Sequence, residues 1–391
     1  MRPSETTRRE FISSGVATGG MFLAGCISGG GTDTSSGETY TVSIAPMGEV
    51  EFEGPPEKWT ALLPSYADMG FALGGGQTLG IQNHDRFGTD AYEELPGIEF
   101  EEDDVVELTE GGVDTELFYE MNADAHFIDP HILTHWYGWE QSDVDRVRDE
   151  IGPFFGNFIR RHSDEWHDYR YYDLYGALEL MAEVFQARER YEAYVTLHEE
   201  MLTTIDERLP PTEERPNAML VYPASGSGTE FFPFRFDDGG ISTKQWRDLG
   251  LTDALAATDV GHYSYTDRGT LDLETLLDID PEVLLVRNHG GASESEFREA
   301  VVDPLRDDPV ASEVQAVRND AVYNAGYLDQ GRSLTSTIPN APRRTSIPTR
   351  SRTRRCSTAS ASPISLPGTS ERLRTANSRD DPPAQSVPSG Q

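Results

Sequence analysis

Two stretches of this 391-residue chain, 158 residues apart, follow one plan. Residues 113–128 align without gaps on residues 271–286: Asp114 matches Asp272, Glu116 matches Glu274, and acidic residues recur at 120 and 278 and at 124 and 282. Each copy reads as a short helix, a turn and a buried apolar strand, Ala125-His126-Phe127-Ile128 or Val283-Leu284-Leu285-Val286. Generic helix–strand units also align by chance, but a gapless repeat of this length predicts two α/β lobes of like topology.

The flanking sequence fits that plan. Tyr40–Ile44 alternates as a strand should, Trp59–Leu63 reads as a second strand, and Tyr66–Leu73 reads as a helix stopped by Gly74-Gly75-Gly76. Ala218–Tyr222 is a continuous apolar run of the kind found in parallel sheets. Between the copies, Leu174, Leu178, Met181, Phe185, Val195, Leu202, Ile205 and Leu209 fall mainly at three- and four-residue steps, predicting one long helix over about 171–209 that Pro210-Pro211 ends.

The N-terminus reads as an address. Thr7-Arg8-Arg9-Glu10-Phe11-Ile12 resembles a twin-arginine export signal, and Leu23-Ala24-Gly25-Cys26 looks like a lipobox, in which Cys26 becomes the lipidated residue. The Gly/Ser/Thr-rich stretch after it reads as a flexible tether. Only Cys26 and Cys356 exist, so the folded body carries no internal disulfide.

In this setting the chain resembles the iron(III)-chelate and cobalamin binding proteins of ABC importers. The resemblance rests on Ala72-Leu73-Gly74, on Leu276-Leu277-Asp278-Ile279-Asp280-Pro281-Glu282 leading into the apolar strand, and on Val317-Arg318-Asn319-Asp320-Ala321-Val322-Tyr323, with Asp320 where the family has glycine. Asn122-Ala123-Asp124 is a weaker match to the corresponding turn of the first lobe. The resemblance covers about residues 40–331. It implies a class III periplasmic-binding-protein fold: α/β, two Rossmann-like lobes joined by one long α-helix.

The resulting division is a signal at 1–25, a tether at 26–39, an N-terminal lobe at 40–155, a connecting helical region at 156–210, a C-terminal lobe at 211–331 and a tail at 332–391. The family's task is to close on a metal chelate and hand it to an ABC permease and its ATPase. Its docking glutamates match Glu116 and Glu274, which equally suit helix N-termini as carboxylates. Such a protein is a monomer without a resident cofactor or bound structural metal, tethered by lipid to the outer face of the cell membrane. Its cargo is a ferric siderophore or cobalamin.

Ligands of open α/β sheets lie beyond the carboxyl ends of the strands. Four loops qualify: Pro64–Tyr66, Asp129–Trp139, Pro223–Phe232 and Arg287–Gly291. They nominate Tyr66, Trp136, Tyr137, Trp139, Tyr222, Phe231 and Phe232 as aromatic faces for a bulky organic chelate, and Arg287 as a partner for a ligand carboxylate. Trp136, Tyr137 and Trp139 serve equally as inter-lobe core, and Arg287 as a partner of a surface acid. A direct Zn or Mn site is the alternative: His131 and His135 stand four apart, with His126, His162 and His167 nearby, but no His-Glu-x-x-His or Cys-x-x-Cys accompanies them. An exported enzyme is a further alternative, and the sequence holds no Gly-x-Ser-x-Gly elbow or dinucleotide-binding glycine motif to support one.

Charge narrows the partners. The formal net charge is −36, and Lys58 and Lys244 are the two lysines among 32 basic residues. Such a surface repels nucleic acid and suits folding in concentrated salt, where the Debye length shrinks to about 3 Å at 1 M. The pattern stops near Gly331: the last 60 residues hold ten arginines, three acids, twenty serines and threonines and eight prolines. A composition of this kind forms no packed core. It reads either as a natural disordered tail or as a frameshift that leaves the second lobe incomplete.

Overall fold

The computed structural model describes residues 39–82, 101, 104–110, 112–162, 164–224, 228–263, 269–287 and 292–326. The signal, all of the tether but Thr39, Cys26 and the tail lie outside the described residues. No helix of the described residues is long and apolar enough to cross a membrane.

The N-terminal lobe begins with an antiparallel hairpin, β1 (Tyr40–Ile44) and β2 (Gly48–Phe52), whose Val42, Ile44, Val50 and Phe52 point inward in strand alternation. Next come β3 (Trp59–Ala61), α1 (Pro64–Ala72), β4 (Gly80–Ile81), β5 (Val106–Glu107), α2 (Thr115–Met121) and β6 (Ala125–Phe127). β3 pairs in parallel with β6, and β4 with β5. Backbone bonds from Leu79 to Trp59 and from Gln82 to Leu62 tie β4 to β3, and Phe155 to His126 continues the sheet beyond β6. The helix α1 lies so close to β3 that a Cβ on Gly70 would stand 2.5 Å from the Trp59 ring.

In the C-terminal lobe β7 (Asn217–Pro223), β8 (Glu230–Phe234), β9 (Thr252–Asp253), β10 (Leu271–Asp272), β11 (Val283–Val286) and β12 (Val322–Asn324) form one sheet in the order β10-β8-β7-β11-β12, with β9 on β7. β7, β11 and β12 run parallel. Both faces of this sheet are covered, so the strands read as unbroken apolar runs: Met219, Val221, Leu284 and Val286 pack on one side, Ala218, Leu220, Val283 and Leu285 on the other.

The repeat is realised in backbone detail. α2 and α8 (Leu273–Ile279) are each seven residues long. Asp114 caps α2 by accepting from the Glu116 N–H, and Asp272 caps α8 by accepting from the Thr275 N–H. Both helices end in a left-handed residue, Asn122 at φ 46° and Asp280 at φ 48°. The acid two residues later grips the start of the neighbouring strand in each lobe. Asp124 accepts from the N–H groups of Glu57 (3.0 Å) and Lys58 (2.8 Å), and Glu282 accepts from the N–H of Asn217 (3.1 Å). Asp320, standing where the family has glycine, also takes the left-handed conformation, at φ 57°.

The long helix expected over about 171–209 is corrected to two. α5 (Leu174–Val184) and α6 (Arg188–Asp206) are separated by a break at which Gln186 turns left-handed, φ 51°. The cause is Phe185, drawn into the N-terminal core to stack on Phe127 (5.2 Å) and meet the Trp59 ring edge-on (5.7 Å). Beyond the break α6 buries only His198, and it meets the C-terminal lobe where the His198 Nε2 lies 3.9 Å from Asp248, a residue of α7 (Lys244–Asp248) that also pairs with Lys244.

Candidate ligand cleft

The site starts from Asp129, the second residue after β6. It caps α3 (Pro130–Trp136), accepting at Oδ1 from the His131 N–H (3.0 Å) and lying 3.1 Å from the His131 Nδ1. Its Oδ2 accepts from the Phe158 N–H (2.9 Å) and from the Tyr169 hydroxyl. One buried carboxylate thus ties the end of β6 to the irregular segment 156–173, and burial together with that carboxylate raises the Tyr169 pKa.

One helical turn separates His131 from His135, and both rings lie nearly parallel to Trp166, at 6.2 Å and 9° and at 5.4 Å and 12°. Trp166 in turn lies parallel to His167 (5.7 Å, 7°), which sits 4.3 Å from Tyr169. Burial pushes the His167 pKa down to about 4, so its ring is neutral at neutral pH. Trp136 meets Phe158 edge-on at 5.0 Å.

Arg161 carries this aromatic cluster across to the other lobe. Its guanidinium lies 5.1 Å from the Trp136 ring, 5.5 Å from Phe158 and 4.9 Å from Tyr263 of the C-terminal lobe, while Asp164 holds it at 2.8 Å. Both charged side chains are almost wholly buried, which the ion pair and the three ring faces offset. From Tyr263 the chain of rings continues to Phe232 (4.6 Å) and Tyr222 (6.2 Å).

Backbone bonds clasp the lobes beside it. The N–H groups of Ile241 and Ser242 donate to the carbonyls of Ile159 (3.0 Å) and Arg160 (3.2 Å), and the His162 N–H donates to Asp238 (2.9 Å). A Cβ on Gly240 would stand 2.2 Å from the Arg160 carbonyl oxygen, so only glycine permits this approach.

Of the residues nominated from sequence, Trp136, Tyr222 and Phe232 join this ring chain and are half-buried. Tyr137 is half-buried and donates to the Gln82 side chain (3.2 Å). Three of the nominated residues lie in the core. Tyr66 is 1% exposed, donating to the Asn157 carbonyl and accepting from its N–H. Trp139 packs edge-on against Phe118 and donates to the Val113 carbonyl. Phe231 alternates with Phe232 along β8 and so points into the core.

Arg287 is corrected from a surface partner to a fully buried one, donating to the Ser242 carbonyl and lying 5.3 Å from the Phe234 ring. Residues 225–227 and 288–291 of the nominated loops lie outside the described residues. Sequence reasoning missed Asp129, Arg161, Trp166, Tyr169 and Tyr263. The candidate metal ligand His126 is a buried residue of β6 whose Nδ1 lies 2.8 Å from the Thr60 hydroxyl, its pKa lowered to about 3 by burial. No group of three His, Cys, Asp or Glu side chains able to hold a metal gathers among the described residues.

Known proteins share the fold that carries this geometry. Residues 139–326 match the family model described as periplasmic binding protein. Over that segment the chain is similar to periplasmic binding proteins. Solved structures agree in fold across both lobes. A periplasmic binding protein from Veillonella parvula superposes with a TM-score of 0.55 at 13% identity, covering 76% of this chain and 95% of its own. The iron uptake ABC transporter substrate-binding protein PiuA of Streptococcus pneumoniae gives 0.51 at 16% identity, covering 78% and 99%. The periplasmic catecholate-siderophore binding protein VctP of Vibrio cholerae gives 0.51 at 16%, covering 77% and 97%. No curated protein matches the sequence.

That family is one of extracytoplasmic solute-binding proteins, and this chain shares its two-lobed α/β architecture. On it Glu116 and Glu274 are exposed second residues of the equivalent helices α2 and α8.

Proposed function

We propose that this protein captures an iron(III) chelate where its lobes meet and delivers it to an ABC importer, without catalysing a reaction. The observation that carries this reading is the unbroken run of rings and guanidinium from His135 and Trp166 through Arg161 to Tyr263, Phe232 and Tyr222. Flat faces of this kind suit an organic ligand that presents aromatic or conjugated groups. Arg161, ion-paired with Asp164, adds a planar guanidinium face among these rings.

Delivery follows from the same reading: Glu116 and Glu274, one on each lobe, meet a permease served by its ATPase, and Cys26 carries the lipid that keeps a monomeric protein at the outer membrane face. Titration of intrinsic fluorescence in molar salt tests the cargo. Saturable quenching by a ferric tricatecholate or hydroxamate, and not by cobalamin or Zn²⁺, supports the proposal. Saturation by cobalamin alone, by Zn²⁺ alone or by none of them overturns it.

A further inference from the structure

The contact between α6 and α7 of the C-terminal lobe is built around one titratable ring. α6 runs for 19 residues and buries His198 alone. The His198 Nε2 lies 3.9 Å from the Asp248 Oδ2, and the same oxygen holds the Lys244 ammonium. Beside them stands Tyr175 of α5, its ring 5.0 Å from that of His198 and 5.7 Å from the Lys244 Nζ. The charged groups that face His198 are Lys244 and Asp248 from α7 and Glu199 from its own helix, while Asp173, the cap of α5, acts on Tyr175. Burial first and Lys244 second lower the His198 pKa, against the pull of Asp248 and Glu199, so the ring is neutral at neutral pH. α7 also carries Arg247, whose guanidinium donates to the carbonyls of Gly239 (3.1 Å) and Gly240 (3.0 Å) in the loop clasped to the N-terminal lobe. One five-residue helix therefore touches both the ring and the clasp.

We propose that the His198–Asp248–Lys244 contact is a proton-operated joint: when His198 takes up a proton, the C-terminal half of α6 parts from α7 and the lobe loosens without unfolding. A proton on the ring brings two cations onto one carboxylate, at a side chain only 8% exposed. Water cannot solvate that charge well, and salt screens buried charges far less than exposed ones. Once α6 has parted, the ring meets water and its pKa returns toward 6.5, so falling pH below that value favours the open joint. The inference holds whatever the cleft binds.

Hydrogen–deuterium exchange of the full chain in molar salt at pH 7.5 and pH 5.5 tests the joint, with labelling times scaled to the intrinsic exchange rate at each pH. Opening of residues 198–206 should rise in acid by up to about tenfold, the limit for one proton over this interval. Strands β7 and β11 should keep their protection. His198→Gln leaves nothing to titrate at the joint, and the rise should vanish. Lys244→Met removes the second cation and frees Asp248 to pair with the imidazolium, so acid should leave 198–206 unchanged or tighten it. A merely structural His198 would respond to neither pH nor Lys244. No rise in the wild type, an equal rise in either variant, or a rise of the same size in β7 and β11 would each overturn the proposal.

Discussion

The two lobes share a scaffold and differ in the residue that each places just beyond its buried strand. In both, an aspartate caps a seven-residue helix, a left-handed residue ends it, and an acid two residues later grips the first residues of the neighbouring strand. The strands then lead to unlike ends. β6 delivers Asp129, which gathers Tyr169 and Phe158 into an aromatic platform. β11 delivers Arg287, which is buried against Phe234 and the Ser242 carbonyl. A repeated unit therefore sets the frame of each lobe, while a residue just beyond the strand sets its chemistry, an anion on one side and a cation on the other.

The largest effect is expected where that difference is concentrated. Asp129→Ala would leave the Phe158 N–H, the Tyr169 hydroxyl and the start of α3 without their acceptor. It should cost about 3 kcal/mol or more in urea unfolding and abolish chelate quenching. The Arg287→Met counterpart should lower stability but leave the N-terminal platform, and the fluorescence of Trp166 within it, intact. If the two variants behave alike, the division of roles between the lobes is wrong.

Arg161→Lys sharpens the comparison at the point where the lobes meet. A lysine keeps the charge but loses the planar face that lies against Trp136 and Tyr263. Chelate affinity should fall by about tenfold, roughly 1.4 kcal/mol, with little change in fold.

Acid distinguishes the lobes by their histidines. Burial lowers the pKa of His126 to about 3 and of His167 and His262 to about 4, and it lowers His198 as well. The unfolded chain, with ordinary values near 6.5, binds more protons than the folded one below that pH. Stability contributed by these neutral rings is therefore complete above about pH 6.5 and falls as pH drops toward 4. His126 alone should steepen the fall by up to about 1.4 kcal/mol per pH unit, and His126→Gln should flatten the dependence of Tm on pH.

The smallest effect tests the symmetry itself. Asp114→Ala and Asp272→Ala should each cost about 1 kcal/mol and match one another, since each removes one equivalent helix cap.

Much of the frame was legible because local patterns decide it. The β11 strand was read to the residue, and β6 and β7 to within a residue or two at their ends, because buried parallel strands leave unbroken apolar runs. The repeat matched Asp114 to Asp272, and the structure adds that each caps its helix. The break at Gln186 was hidden because Phe185 falls in helical register with Leu178 and Met181, and the left-handed turn comes one residue later, at a position with no pattern to mark it. The cleft was half legible. Loops after strands pointed to Trp136, Tyr222 and Phe232, but Arg161, Trp166 and Tyr169 lie in an irregular segment with no period to reveal them. Tyr66 and Phe231 looked like cleft residues because their direction depends on packing and on one step of strand alternation.

Hydrogen–deuterium exchange with and without a saturating ferric chelate tests most directly that the cargo sits where the lobes join. Binding at the ring chain predicts new protection in both 129–136 and 158–169 of the N-terminal lobe and, at the same chelate concentration, around Phe232 and Tyr263 of the C-terminal lobe. Protection confined to one lobe, or absent from both, would contradict it.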